Sequence, residues 1–397
     1  RNIRKQKLFK AKAQSSKLSH RQLLYSMEAL KNIVKNQQKM LEDGVLMGDD
    51  VSPIKERVVR LLFKIGQFPY TTNNELEIYK DGHEKFASLI RDMKEAKDHI
   101  HLKIRGAFLK ELKEAGVKCA AFLPTKFPIF GGQLNYRNHR KIAVIDGKIS
   151  YTGGLNIGDE YMGKFKKFGY WRDSHIRIRG IATHMLQLIF IIDWYLTTKE
   201  LLNDEKYMPK MEIIGDTAIQ VVGTGPDSKW EDIHYAFFAA ISQAKKRVYI
   251  ETPYFIPDES LLKAIKTAAL SGVDVRIIFP QKIDHYLVNV ASYSYLEEIM
   301  KAGGKVYLYQ KGFIHSKVFL VDDDLASIGS SNMDLRSFML NFEVNAFIYD
   351  RDYVNKIADQ FYADQEDSIQ LLEEDYRLRN MWVRLAESIS RLFSPLL

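Results

Sequence analysis

The sequence predicts an α/β protein built from two similar halves. Consecutive segments in the second half predict a strand at 247–257, a helix at 258–272 and a strand at 273–280. Strand, helix and strand in that order are typical of a βαβ unit and an α/β sheet. A stretch of 21 residues recurs 176 residues further along the chain. We therefore expect the first half to repeat the fold of the second.

The repeat pairs YRNHRKIAVIDGKISYTGGLN (136–156) with GFIHSKVFLVDDDLASIGSSN (312–332). Five distinctive pairs recur: His139 and His315, Lys141 and Lys317, Asp146 and Asp322, Gly153 and Gly329, and Asn156 and Asn332. His and Lys two residues apart on a strand point to the same face, so both reach one ligand. The apolar runs 142–145 and 318–321 predict strands buried on both faces. One such histidine is more often structural, but two copies that agree at five positions favour function.

The residue types in the repeat suit phosphate chemistry. An imidazole, an ammonium and an amide that converge at one strand end offer a nucleophile or acid, a fixed positive charge and a hydrogen-bond donor. Such a set can bind a phosphoryl oxygen and stabilise charge that builds on it.

The charge of the chain is concentrated at its N-terminus. Arg1–Met27 carries eight basic residues and no acidic one, which leaves 58 − 8 = 50 basic against 50 acidic residues elsewhere. This arm favours an anionic partner, either nucleic acid or an anionic membrane face, although a solvated tail is the commoner outcome. The 46% hydrophobic content argues against disorder, and the single Cys119 cannot form an internal disulfide, which fits a reducing compartment.

Amphipathic segments flank the α/β body. Residues 55–68 and 382–396 each combine an apolar stripe with basic residues, and each predicts a helix that either packs on the body or lies in a membrane interface. No stretch reaches the roughly 18 apolar residues of a membrane span, and no secretory signal is visible. Because the sequence begins with arginine, an upstream membrane anchor remains compatible with it.

The duplicated motif resembles that of the phospholipase D superfamily, H-x-K-x-x-x-x-D followed by G-x-x-N. More narrowly, blocks such as FGYWRDSH, ETPYFIPDESLL and SSNMDLRSFMLNFEVNAFIYD resemble bacterial cardiolipin synthases, from about Arg57 to the end. The resemblance implies two phospholipase D-like α/β/α sandwich halves related by a pseudo-twofold, plus N- and C-terminal amphipathic helices. We expect a basic arm and membrane-surface segment at 1–70, the two halves at 71–215 and 216–365, and a C-terminal amphipathic helix at 366–397.

The same resemblance implies a catalytic mechanism without metal or other cofactor. One histidine attacks phosphorus and forms a phosphohistidine while the other protonates the leaving alcohol. Our hypothesis makes His139 the nucleophile and His315 the acid and base. Further roles fall on the rest of the repeat and on two acidic residues: Lys141 and Lys317 with Asn156 and Asn332 on the phosphate oxygens, Gly153 and Gly329 in the substrate-binding turns, Asp146 and Asp322 closing the catalytic motif with a mainly structural part, Glu343 orienting His315, and Asp173 orienting His139.

The preferred function is transfer between two phosphatidylglycerol molecules, giving cardiolipin and glycerol on an anionic membrane. We expect a bacterial cell membrane with the catalytic body on its cytoplasmic side. The same chemistry leaves open a lipid hydrolase and a phosphatidylserine synthase-like transferase. A nuclease is disfavoured because the body is neutral, so no nucleic acid partner is expected. An inactive lipid-binding scaffold is disfavoured by two intact motifs, and a homo-oligomer stays open.

The two copies differ in length upstream of the motif. The segment 248–279 spans 32 residues, whereas the matching segment 99–122 spans 24. The first half therefore lacks about eight residues after Leu102 by this comparison. Cardiolipin synthases usually carry an aromatic strand end and an acidic loop there, and we expect the native chain to contain that loop.

Overall fold

Two large β-sheets with helices packed on them, one in each half of the chain, form the framework of the protein. The computed structural model describes residues 28–44, 51–104, 109–122, 137–282, 284, 286–374 and 390. Two helices, α1 (Glu28–Glu42) and α2 (Pro53–Gly66), precede the first half. The elements of that half are β1 (Asn74–Asp81), α3 (Gly82–Lys94), β2 (Ile100–Leu102), α4 (Leu109–Glu114), β3 (Ile142–Ile145), β4 (Ile149–Gly153), a 3₁₀ turn (Asp159–Met162), β5 (Tyr170–Gly180), α5 (Ala182–Thr198) and a second 3₁₀ turn (Glu205–Tyr207). Its strands lie in the order β1-β5-β4-β3-β2, all antiparallel to their neighbours.

The second half repeats this arrangement and extends it. Its elements are β6 (Ile219–Thr224), α6 (Asp232–Ile241), β7 (Arg247–Glu251), β8 (Phe255–Ile256), α7 (Glu259–Leu270), β9 (Asp274–Pro280), α8 (Tyr286–Lys301), β10 (Lys305–Tyr309), β11 (Gly312–Ile314), β12 (Val318–Val321), β13 (Leu325–Gly329), β14 (Met333–Asp334), α9 (Leu335–Met339), β15 (Glu343–Ile348), α10 (Arg351–Glu366) and β16 (Ser368–Leu371). The order is β16-β10-β9-β7-β12-β13-β15-β6, so β6, β15, β13, β12 and β7 match β1, β5, β4, β3 and β2. The predicted βαβ unit is confirmed as β7, α7 and β9, with both strand pairs of β9 parallel.

The halves share one hydrophobic core. Helix α5 has apolar residues on every side, and all of residues 182–193 are buried. A helix of this kind must be enclosed by protein. It packs against β5, β3 and β4 of the first sheet and against β6 of the second. The continuous apolar cluster therefore includes β3 residues such as Val144 together with β12 residues such as Leu320.

Backbone pairing also crosses between the halves. Strand β11 pairs in parallel with the start of β5, with Phe313 opposite Trp171 and Ile314 opposite Arg172. On the other side, Asn138 forms a bridge with Phe342. A β-carbon at Gly312 would lie 2.0 Å from the Tyr170 carbonyl oxygen, so only glycine permits this approach. These two contacts place the segment before each motif beside a strand of the opposite half.

The terminal segments differ in part from expectation. Helix α2 begins at the Ser52 N-cap and buries Val58, Val59 and Leu62 against α6, so of the two alternatives its apolar stripe takes the one that packs on the body. Its apolar stripe meets the second sheet because the chain continues into β1 through Thr71, which bridges to Ile219. A membrane-surface role for residues 1–70 stays a prediction. The segment 366–397 begins with a strand, β16, rather than a helix. The basic arm and the rest of the C-terminal helix prediction lie outside the described residues. Among the helices that are described, none combines the length and apolarity that crossing a bilayer requires.

The two sheets end differently at β2 and β7. Strand β7 pairs with β9, beyond which lie β10 and β16. No strand within the described residues pairs with the outer edge of β2, and the main chain continues there through Lys103, whose N–H donates to the Ile142 carbonyl (2.9 Å). Among the described strands the two halves therefore differ at this edge, and the loop of about eight residues after Leu102 stays a prediction.

Candidate active site

The two histidine–lysine pairs directly precede β3 and β12 in the chain. The side chain of His139 is 28% exposed and that of His315 is 10% exposed. Lys141 and Lys317 are both buried. Since the strands that follow are buried on both faces, their register fixes the direction in which each pair points.

Each imidazole meets a buried carboxylate from the opposite half. Nδ1 of His139 lies 3.0 Å from both carboxylate oxygens of Glu343, and Nδ1 of His315 lies 2.8 Å from Asp173 Oδ2. The predicted pairing within each half, Glu343 with His315 and Asp173 with His139, is therefore wrong. The cause is the cross-pairing of strands, since β11 carries His315 beside β5 and its Asp173.

The carboxylates are themselves held in place. Glu343 accepts hydrogen bonds from the Ser330 hydroxyl and from Asn341 Nδ2 (3.1 Å). Asp173 accepts from the Ser174 backbone N–H at 2.8 Å. Burial opposes the charge of both groups, but the nearby histidines and lysines hold their pKa values below the ordinary range. Both carboxylates are thus ionised, and each leaves the Nε2 atom of its histidine available for chemistry.

The electrostatics connect the two motifs. Burial and the charges of Lys317 and Lys141 together lower the pKa of His315 to about 4, although Asp173 opposes the shift. Burial also lowers the pKa of His139, with Glu343 opposing the shift and Lys141 and Lys317 adding to it. The charge of each lysine therefore reaches the histidine of the other motif. Each histidine also receives its carboxylate from the opposite half, so the two motifs meet where the halves join.

The lysines are fixed by the backbone beside them. Lys141 Nζ donates to the His139 carbonyl at 2.7 Å. Lys317 Nζ donates to the His315 carbonyl and lies 2.8 Å from His315 Nδ1. Burial lowers the pKa of Lys317 to about 8, with Asp173 and Glu343 opposing the shift. Positive charge is thus concentrated beside both imidazoles, as anion binding requires.

The two asparagines occupy corresponding turns. Asn156 Nδ2 donates to the Tyr161 hydroxyl at 2.6 Å. Asn332 is buried, and its Oδ1 has no hydrogen-bond partner within the part of the chain that is described. Both side chains therefore lie in the turns that follow Gly153 and Gly329. The amide oxygen of Asn332 can still accept a hydrogen bond.

The motif glycines have a packing role. Gly153 pairs with His175 and Gly329 pairs with Asn345 in corresponding registers. A β-carbon would lie 2.5 Å from the His175 Cα at the first site and 2.2 Å from Asn345 Oδ1 at the second. Each glycine therefore allows neighbouring strands to approach closely, and its assignment to substrate binding stays a prediction.

The motif aspartates act as turn caps, and their place in the catalytic motif stays a prediction. Asp146 accepts three backbone N–H groups at 2.8–2.9 Å, from residues 97–99. Asp322 accepts three more from residues 245–247. Both have a positive φ, +52° and +50°, which aspartate tolerates better than most residues. Each fixes the turn that leads into β2 or β7.

Sequence reasoning missed several residues of the site. Trp171 lies with its ring centroid 5.3 Å from that of His315, and the hydroxyls of Ser174 and Ser316 bond across the halves at 2.8 Å. Lys85 and His175 are also buried here, and their charges interact with Asp173 and Lys141. Ser316 lies inside the repeat, between His315 and Lys317, and Trp171, Ser174 and His175 lie in the block FGYWRDSH. Only Lys85 lies outside both segments.

A duplicated α/β framework with two histidine–lysine motifs at one site defines an enzyme of the phospholipase D class. The structure of phosphatidylserine synthase from Haemophilus influenzae Rd KW20 superimposes with a TM-score of 0.62, covering 86% of this chain and 98% of that one. At 14% identity this likeness establishes the fold alone.

Sequence comparison narrows the class. Residues 237–365 match the family described as "Cardiolipin synthase, PLD-like domain". A cardiolipin synthase of Listeria welshimeri serovar 6b is 43% identical over 91% of this chain and 84% of its own length. One of Geobacillus kaustophilus is 42% identical over 87% and 77%. The chain belongs to the cardiolipin synthase family, and it is a phosphatidyltransferase.

Proposed function

We propose that the protein joins two phosphatidylglycerol molecules into cardiolipin and releases glycerol through a phosphohistidine intermediate. One observation carries the proposal. Two imidazoles, each oriented at Nδ1 by an ionised carboxylate, share one site with two buried lysines. That set supplies a nucleophile, an acid and fixed positive charge for a single phosphodiester.

In the first step, Nε2 of His139 attacks the phosphorus of one phosphatidylglycerol. The bond from phosphorus to the glycerol head group breaks, and His315 gives its proton to the departing glycerol oxygen. Glu343 stabilises the positive charge that forms on His139, because its carboxylate lies at Nδ1. Lys141 and Lys317 stabilise charge on the non-bridging oxygens.

In the second step, a hydroxyl of the second phosphatidylglycerol gives its proton to His315 and attacks the same phosphorus. The phosphorus–nitrogen bond breaks and His139 is restored. Because the two steps together replace one phosphodiester by another, the overall reaction needs no external energy source.

The low pKa of His315 sets a condition on this order of events. With a pKa of about 4, His315 is neutral at pH 7 in the empty site. A phosphodiester anion that enters beside it favours the protonated form, since an opposite charge at close range raises a histidine pKa. Substrate binding thus supplies the acid that the first step needs.

The substrate also implies a location. Phosphatidylglycerol lies in an anionic membrane, and the basic arm Arg1–Met27 would add about 1 kcal/mol of attraction for each basic residue near its surface. We therefore place the protein at the cytoplasmic face of a bacterial cell membrane, with halves at 71–215 and 216–365 and no nucleic acid partner.

The test is turnover of phosphatidylglycerol in vesicles, with the products separated. We expect cardiolipin and glycerol in equal amounts, and no loss of activity with a chelator. Phosphatidic acid as the main product would identify a hydrolase instead. Added serine converted to phosphatidylserine would identify a phosphatidylserine synthase. For the histidine roles, a trapped phosphoenzyme in His315→Ala but not in His139→Ala supports the order above, and the reverse result assigns the nucleophile to His315.

A further inference from the structure

Lys85 is a buried cation that the proposed reaction does not yet use. It lies in the first turns of α3 and is 3% exposed. Within the described residues its ammonium makes no hydrogen bond or ion pair, and its nearest described partner is the Phe86 ring, 3.9 Å from Nζ. Burial lowers its pKa to about 7, and only the charge of Asp173 opposes that shift. An uncompensated buried charge of this kind is costly unless something binds it.

A second unsatisfied nitrogen lies in the same region. His175 is buried on β5, on the same strand face as Asp173, and its Nδ1 has no hydrogen-bond partner among the described residues. Burial holds the pKa of His175 well below its ordinary value, and the charges of Lys85 and Lys141 lower it further. A neutral imidazole can donate or accept one further hydrogen bond. A β-carbon at Gly153 would lie 2.7 Å from His175 Nδ1, and one at Gly154 would lie 1.9 Å from Asp173 Oδ1. Helix α3, which carries Lys85, contacts the same strand β5. Lys85 and His175 therefore border the site beside Asp173.

Helix α3 also contacts the turn that carries Asn156. A β-carbon at Gly82 would lie 2.2 Å from the Tyr161 carbonyl, so the start of the helix packs closely on this turn. The Tyr161 hydroxyl accepts the hydrogen bond from Asn156. The lysine thus belongs to an element that is in contact with the proposed substrate-binding turn.

The second half has no such unsatisfied group at the matching position. Asn345 takes the place of His175 in the register opposite Gly329. Its Nδ2 donates to Ser327 (3.0 Å) and its Oδ1 accepts from the Ser331 N–H (3.2 Å). The two halves are alike around the transferring phosphate but differ here. If donor and acceptor lipid used the two halves in the same way, both halves would be expected to carry the same residue at this position. The change from His175 to Asn345 therefore suits a site where the two lipids bind differently.

We propose that Lys85, with His175 beside it, binds a second phosphate, the one that the acceptor lipid carries next to its attacking hydroxyl. This inference rests on the proposed function. In cardiolipin formation the acceptor phosphate is separated from the attacking oxygen by the three carbons of glycerol, so two anions must occupy the site together. Lys141 and Lys317 stabilise the transferring phosphate. Lys85 supplies the charge for the other.

The test compares an acceptor that carries a phosphate with one that does not. In vesicles of phosphatidylglycerol, cardiolipin formation requires the phosphate-bearing acceptor, whereas incorporation of labelled glycerol into phosphatidylglycerol uses the same donor step with a neutral acceptor. We expect Lys85→Met to slow cardiolipin formation about 10-fold to 100-fold, the range for losing a hydrogen bond to a charged group, and glycerol exchange less than about twofold. Lys85→Arg should restore part of the cardiolipin activity.

Lys94→Met is the matched control, because Lys94 is exposed in the last turn of the same helix. It should change neither activity. Equal loss of both activities in Lys85→Met would overturn the proposal by making Lys85 part of the transferring-phosphate site or of the fold. Loss of neither would also overturn it. A parent protein that makes neither cardiolipin nor exchanged lipid refutes the proposed function, which is a separate result.

Two further measurements keep the test decisive. Lys85→Met removes a desolvated charge and keeps the length of the side chain, so its melting temperature should not fall below that of the parent. The parent protein should also accept glycerol 1-phosphate with a lower KM than glycerol. Equal KM values would overturn the proposal without any variant, even if Lys85→Met failed to fold.

Discussion

Replacing Glu343 by glutamine tests the cross-half arrangement of the site. The glutamine oxygen can still accept the Nδ1–H of His139, so the tautomer is kept and only the negative charge is lost. The carboxylate is fully buried, with its two oxygens 3.0 Å from Nδ1. Water therefore cannot screen the missing charge, and the effect should be strong.

The structure sets the expected magnitude. A hydrogen bond to a charged group contributes about 1.5–3 kcal/mol, which corresponds to a fall in kcat of about 10-fold to 100-fold. Because Glu343 opposes the lowering of the His139 pKa, its neutralisation should lower that pKa further. His315 has its own carboxylate, Asp173, and its pKa should change little.

Histidine side-chain NMR over a pH series, with kcat measured on the same samples, gives both quantities. Asp173→Asn is the reciprocal control and should act on His315 instead. If Glu343→Gln shifted the pKa of His315 and left that of His139 unchanged, each carboxylate would orient the histidine of its own half, and the cross-half arrangement would be refuted. Unchanged turnover in both variants would refute an orienting role for either carboxylate.

Three further predictions concern stability. Gly329→Ala should lower the free energy of unfolding by about 1–3 kcal/mol, measured by urea denaturation, because a β-carbon there overlaps β15. Asp322→Ala should cost about 1–3 kcal/mol by leaving three backbone N–H groups unpaired, whereas Asp323→Ala, which removes a partly exposed ion pair, should cost less than about 1 kcal/mol. Acid should destabilise the fold between about pH 6.5 and 4, measured as melting temperature. His101 and His315 have pKa values of about 4 when folded and near 6.5 when unfolded, so the unfolded chain binds more protons in that window.

Each of these predictions has a contrary result. A Gly329→Ala protein as stable as its parent would show that β13 and β15 can separate without cost. Equal stability of the two aspartate variants would remove the turn-cap role. A melting temperature that stays constant from pH 6.5 to pH 4.5 would mean that the buried histidines titrate normally.

The sequence predicted the features that depend on local pattern. The repeat gave the paired motifs, and the apolar runs 142–145 and 318–321 are confirmed as the buried strands β3 and β12. Residues two apart on a strand share a face, so the pairing of His with Lys needed no tertiary information.

The features that depend on how the halves meet could not be predicted in this way. The pairing of β11 with β5 decides which carboxylate orients which histidine. His315 and Asp173 are 142 residues apart in the sequence. The burial of α2 on α6 and that of Lys85 are likewise tertiary features. An amphipathic stripe or a lone lysine looks the same in sequence whether it meets a membrane, solvent or a protein core.

The shared site is the central claim, and the activity of the single histidine variants tests it most directly. With phosphatidylglycerol as substrate, His139→Ala and His315→Ala should each fall below about 1% of the parent rate, as expected when both imidazoles act on one phosphorus. If either variant kept about half of the parent activity, the two motifs would be working independently, and a single site between the halves would be contradicted.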